Sequence, residues 1–122
     1  MSAFGDVRTN DPLRIWDGVA GWTVDGERLT LALIELEPDS VVPEHLHENE
    51  QVGILLHGSL AFRIGGEERE LAAGATWQIP SNTPHDVRTG PEGATLVEVF
   101  APGRADWGGL ERVAERRPRR LG

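Results

Sequence analysis

The stretch Glu44-His45-Leu46-His47-Glu48-Asn49-Glu50-Gln51 holds two of the chain's four histidines, spaced two residues apart. On a β-strand, side chains at i and i+2 leave from the same face. His45 and His47 can therefore reach one ion without distortion of the backbone. A third imidazole, His85, comes later in a segment punctuated by glycine and proline. Three imidazoles with a nearby side-chain oxygen form a site for a divalent transition metal.

Outward from this stretch the chain consists of short β-like runs cut by turn residues. Leu29 to Leu36 is apolar-rich and is entered through the Asp25-Gly26 turn. Pro38-Asp39-Ser40 ends it, and Val41-Val42 begins the histidine strand. Gln51 to Leu56 is read as a strand closed by Gly58, and Leu60 to Ile64 as another, turned back at Gly65-Gly66. Thr76 to Ile79, His85 to Arg88 and Ala94 to Phe100 complete the set. Such spacing predicts an all-β antiparallel sandwich or barrel. Only Leu110 to Arg117 is weakly helical in pattern, with Pro118 as its stop.

Composition narrows the function classes. The 122 residues amount to one domain. There is no cysteine, so thiolate ligands and a cysteine nucleophile are excluded and a reducing compartment is expected. There is no lysine, which excludes Schiff-base chemistry and a P-loop. No apolar run approaches the roughly 20 residues of a membrane span, and the N-terminus lacks a signal pattern, so a cytoplasmic protein is expected. Net charge is −8, while residues 111–122 hold five arginines against two glutamates. The remaining body is thus more acidic than the whole, which disfavours nucleic-acid binding. The basic end is expected to be a solvated, partly disordered arm.

The motifs also resemble a family. His45-x-His47-x3-Gln51-x6-Gly58 is similar to the first cupin motif, with Gln51 where many members carry glutamate. Gly74-x5-Pro80-x-Asn82-x2-His85 is similar to the second, with Asn82 in place of the usual glycine and Thr89 where asparagine is frequent. The resemblance covers residues 25 to 104. It implies a single-domain jelly-roll β-barrel with a metal near one mouth, held by His45, His47, Gln51 and His85. Zinc, nickel, manganese, cobalt or iron all suit such ligands. Gly53, two residues beyond Gln51, would leave room beside the ion. His57 shares alternation parity with Gln51 and so is a candidate for the lumen.

The last strand adds a second clue. Alternation puts Leu96, Glu98 and Phe100 on one face and Val97 and Val99 on the other. Taken alone, this pattern favours Val97 and Val99 in the core with Glu98 in water. The stretch resembles, however, small cupins of pectin and alginate breakdown that convert 4,5-unsaturated uronates to linear keto sugars. Their acidic residue, phenylalanine and arginine fall in register with Glu98, Phe100 and Arg104, with glutamate here for their aspartate. The resemblance implies a metal-dependent isomerase or lyase acting on a small carboxylated substrate. In it Glu98 moves a proton, Arg104 holds the carboxylate, and Phe100, Trp77 and Phe62 wall the pocket. Arg63 and Arg88 are further cations that would offset the acidic body.

Three other classes share these ligands: an iron or copper dioxygenase, a non-enzymatic metal-stabilised binding module, and a cyclase or epimerase on a polyketide-like compound. The chain divides into an N-terminal strand and pairing segment (1–24), the barrel (25–104) and the basic tail (105–122). Leu13, Ile15, Trp16, Val19 and Trp22 supply more apolar area than a small barrel needs, so a homodimer through this segment is expected.

Overall fold

A computed structural model describes residues 2–113 and 117–120. These residues form eight strands: β1 (Leu13–Trp16), β2 (Val19–Asp25), β3 (Thr30–Leu36), β4 (Val41–His45), β5 (Glu50–Ile64), β6 (Glu67–Ala72), β7 (Thr76–Ile79) and β8 (His85–Ala101). One-turn 3-10 helices lie at Val7–Thr9 and Ala105–Gly109. Every strand pairing is antiparallel. One half of the fold runs β1-β2-β3-β8-β5-β7, and the other runs β4-β8-β5-β6, so β5 and β8 belong to both. The ladder does not close on itself. No helix among the described residues is long and apolar enough to cross a membrane.

The double membership of β5 and β8 corrects the expectation of four separate strands. Gly58 adopts φ 88° and Gly93 φ 72°, and these left-handed conformations bend the strands without ending them. The chains approach so closely there that a Cβ on Gly58 would collide with the Gly93 carbonyl. Pairing continues on both sides of the bend, with register shifts at Leu55/His57 and Gly58/Leu60. Glycine therefore acts here as a corner, where sequence pattern alone suggests a stop.

Ala32, Ile34 and Leu36 of β3, Leu60 and Phe62 of β5, and Val87, Leu96 and Phe100 of β8 build the core between the two halves. In β8 it is Glu98 that points inward with Leu96 and Phe100, while Val97 and Val99 remain half-buried outside. The simple hydrophobic reading of this strand is thus reversed, because polar partners await Glu98 inside.

The N-terminal segment is consumed by the monomer. β1 and β2 extend the sheet beyond β3; Leu13, Val19 and Trp22 are buried, and Ile15 and Trp16 pack against the core. The apolar surplus on which a pairing segment was expected is therefore spent within the chain. Exposed aliphatic side chains are found instead on the outer sheet face, at Val24, Leu31, Val52, Ile54 and Leu56.

The described part of the basic tail is not a solvated arm. Arg14 N–H donates to Glu111 O (2.9 Å), Val113 N–H donates to Pro12 O (3.0 Å), and Arg112 bridges to Leu13, so the chain adds a further edge to β1. Leu110 to Val113 are consequently non-helical, and the rest of the expected helix falls largely on residues 114–116, outside the described residues. Farther on, Pro118 is buried, Arg119 N–H donates to the Glu35 carboxylate (2.6 Å), and its guanidinium pairs with Glu37 (2.8 Å). Acidic groups of the body recruit the basic end.

Candidate metal centre and cavity

His45 closes β4 and lies directly opposite His85, the first residue of β8. His47 follows two residues later, and Gln51 opens the inward face of β5. One ring nitrogen from each of the three histidines lies within 4.8 Å of the others. Asn82, with φ 58°, takes the left-handed turn before His85, a conformation asparagine tolerates better than most residues.

Backbone carbonyls set the tautomers. His45 Nδ1 is 2.8 Å from Pro43 O, His47 Nδ1 is 3.0 Å from Asn49 O, and His85 Nδ1 is 2.8 Å from Thr83 O. A carbonyl oxygen only accepts, so each Nδ1 carries the hydrogen and each Nε2 presents a lone pair. His47 Nε2 then faces Gln51 Oε1, another acceptor, at 3.1 Å. His85 Nε2 is buried and has no hydrogen-bond partner among the described residues. Converging lone pairs with no proton between them are the donor set of a cation site, and a divalent metal fits it.

Burial and nearby positive charge favour the neutral form of His47 and His85. Burial lowers the His85 pKa to about 4, aided by the charges of its neighbouring histidines and Arg104. Burial also lowers the His47 pKa, with Arg104 as the next contributor. Neutral imidazole is the metal-binding form.

Gln51 is oriented from behind. Its Nε2 donates to Glu98 Oε2 in a very short contact, and Trp77 Nε1 donates to the same oxygen at 2.9 Å. Glu98 is 7% exposed, and burial raises its pKa against the opposing pull of these two hydrogen bonds and of Arg104. His47, Gln51, Glu98 and Trp77 thus form one connected network.

In front of this network is a cavity of about 250 Å³. His45, His47, His85, Gln51, Glu98 and Arg104 supply its polar wall, and Phe62 and Phe100 are part of the apolar one. Trp77 stands a layer behind, its ring tilted against Phe62 with centroids 5.1 Å apart and its N–H on Glu98.

Residues 32–100 match the family model described as the cupin domain. The chain belongs to the cupin family. Across 87 residues this cupin is 29% identical to the pectin degradation protein KdgF of Dickeya dadantii (strain 3937), covering 70% of this chain and 76% of that one. Its fold is similar to that of KdgF from Halomonas sp. (TM-score 0.78, 22% identity, 87% of this chain and 98% of that one). It is also similar to an RmlC-like cupin from Shewanella frigidimarina (TM-score 0.80, 21% identity, 88% and 96%). The jelly-roll architecture is accordingly that of the family.

Several residues of this cupin lie elsewhere than their sequence context suggested. His57 faces Arg120 on the outer surface, because the register shift after Leu55 resets the alternation. The space beside Gly53 is filled by the Trp77 indole, not left for an ion. Arg63 is paired with Asp86 (2.7 Å) and Arg88 with Glu68 (3.6 Å), both exposed and away from the cavity, whereas Arg104 lines it. Three cavity residues carried no sequence signal for the site. Trp16, 5.3 Å from the His45 ring, comes from β1, and Asp106 and Trp107 come from the short helix after the barrel. No local period links them to the histidines, so only the fold brings them there.

Proposed function

We propose that this cupin is a metal-dependent enzyme that moves a proton on a small carboxylated substrate, with ring opening and tautomerisation of an unsaturated uronate as its reaction. The observation that carries this reading is the buried Glu98, tied through Gln51 to the histidine cluster and raised in pKa by burial. The likeness to a pectin degradation protein supports the choice of a uronate. His45, His47, His85 and Gln51 would hold the metal, which when bound supplies Lewis acidity toward a hydroxyl or carboxylate oxygen. Both donors to Glu98 address Oε2, so Oε1 is the oxygen that exchanges a proton with a molecule in the cavity. Burial keeps the neutral carboxylic acid accessible at higher pH than usual, which suits a group that both takes and returns a proton. Arg104 binds the substrate carboxylate, and Phe62 and Phe100 confine the ring.

The test uses the protein loaded with metal and 4,5-unsaturated galacturonate, following loss of the ultraviolet absorbance of the C4=C5 double bond conjugated with the carboxylate. Glu98→Gln keeps the shape and removes the proton acceptor. It is expected to retain full metal content while turnover falls by about 10²–10⁴. The double change His45→Ala with His47→Ala is expected to abolish stoichiometric metal binding. Wild-type turnover in the Glu98→Gln protein, or wild-type protein inert toward the substrate, would refute the reaction proposed.

The same reading includes self-association as a homodimer. With Leu13, Val19 and Trp22 buried and Ile15 and Trp16 packed against the core, the pairing surface is the outer sheet face that carries Leu31, Val52 and Ile54.

A further inference from the structure

Arg104 already meets a carboxylate. Its Nε lies 3.1 Å from Asp106 Oδ1 and its Nη2 lies 3.0 Å from Asp106 Oδ2. This is the two-bond geometry that a guanidinium forms with any planar carboxylate. Both residues line the cavity. They are unequally held, because the Arg104 side chain is 10% exposed and that of Asp106 is 64% exposed.

The fixed position of Arg104 has other sources. Its backbone N–H donates to Thr30 Oγ1 (2.9 Å), and Thr30 is itself buried. The carbonyls just before it, Pro102 O and Gly103 O, accept from Asn49 Nδ2 at 2.6 and 3.2 Å. Its guanidinium carbon lies 4.9 Å from the centre of the Phe100 ring and 4.4 Å from that of Trp107. Those two rings pack on each other with centroids 5.0 Å apart, and both are buried. The guanidinium plane is therefore set by backbone anchors and aromatic faces. Asp106 occupies two of its N–H groups without being needed to aim them, and an exposed carboxylate leaves by side-chain rotation at little cost.

We propose that Asp106 is an internal stand-in for the substrate carboxylate: it occupies the anion subsite on Arg104 in the free protein and is exchanged for the carboxylate of an incoming ligand. This rests on the reading of the cavity as a site for a carboxylated molecule. The exchange makes the subsite selective. A ligand that offers two coplanar oxygens replaces both bonds that Asp106 gives up, whereas a hydroxyl replaces at most one and leaves the Asp106 pairing in place. Once displaced, Asp106 returns to water, where its charge is fully solvated.

The experiment measures binding of D-galacturonate and of neutral D-galactose to the full-length, metal-loaded protein by titration calorimetry. Saturated sugars are used so that no turnover intervenes. Asp106→Asn is expected to tighten galacturonate binding about fivefold, the range an ion pair with one solvated partner can withhold. It should leave galactose affinity unchanged. Arg104→Gln is expected to weaken galacturonate at least about tenfold, and adding Asp106→Asn to it should have no further effect. Weaker or unchanged galacturonate binding in the Asp106→Asn protein overturns the proposal, as does equal tightening of galactose. The underlying reading of a carboxylate site fails separately, if Arg104→Gln leaves galacturonate affinity unaltered.

Discussion

Gly53 is a glycine because of Trp77. A Cβ at Gly53 would lie 2.5 Å from Trp77 Cε2 and 2.6 Å from both Cζ2 and Nε1. The indole must cross β5 at this point to deliver its N–H to Glu98. Gly53→Ala is therefore expected to push the indole aside, weaken that hydrogen bond and destabilise the fold by about 1–3 kcal/mol. The measurement is the midpoint of urea denaturation followed by tryptophan fluorescence, and an unchanged midpoint would contradict the account. The His45/His47 pair was legible from residue types and spacing alone. The Nδ1 bonds to Pro43, Asn49 and Thr83 carbonyls were not, although they decide which nitrogen faces the cavity.

Among the elements, the end of the chain behaves least like its composition. Its charge pattern suits a solvated arm, yet Arg119 spans Glu35 and Glu37, and Pro118 is buried. Two contributions can be separated. The Arg119–Glu37 pair joins half-exposed side chains, so a double-mutant cycle of Arg119→Ala with Glu37→Ala should give a coupling of about 1 kcal/mol or less. Removal of residues 114–122 should destabilise more, by about 1–3 kcal/mol, because it also takes a backbone donor from the buried Glu35 and uncovers the strand beneath. Chemical denaturation of the three single and double variants and of the truncated chain checks both. A truncation no more destabilising than the pair would show that the tail is held by charge alone.

At the scale of the whole molecule, cross-strand register gathers the exposed aliphatic residues into rows. Val24 pairs with Leu31, Leu31 with Val99, and Val99 with Val52; beside them the half-buried Val97 pairs with the exposed Ile54, next to the buried Leu33. A contiguous apolar face of this kind is uncommon on a monomer. Light scattering is expected to give a dimer mass for wild-type protein, and Leu31→Arg is expected to give a monomer with unaltered metal content. A wild-type mass that stays monomeric at every concentration would refute pairing through this face.

Sequence by itself determined the antiparallel β character and the His45/His47 pair, both carried by short-range period and spacing, which the backbone geometry of a strand converts directly into a shared face. His85 and Gln51 came with the resemblance to the two cupin motifs. Tertiary structure decided the rest. Whether Glu98 turns inward depends on hydrogen-bond donors from β5 and β7, and whether His57 does depends on a register shift against β8. Gly58 and Gly93 bend strands instead of ending them because each strand keeps a partner on both sides of the corner. Trp16 and Asp106 join the cavity from opposite ends of the chain. The direction of a side chain is settled by the atoms it meets, and in this protein those atoms are supplied by distant parts of the sequence.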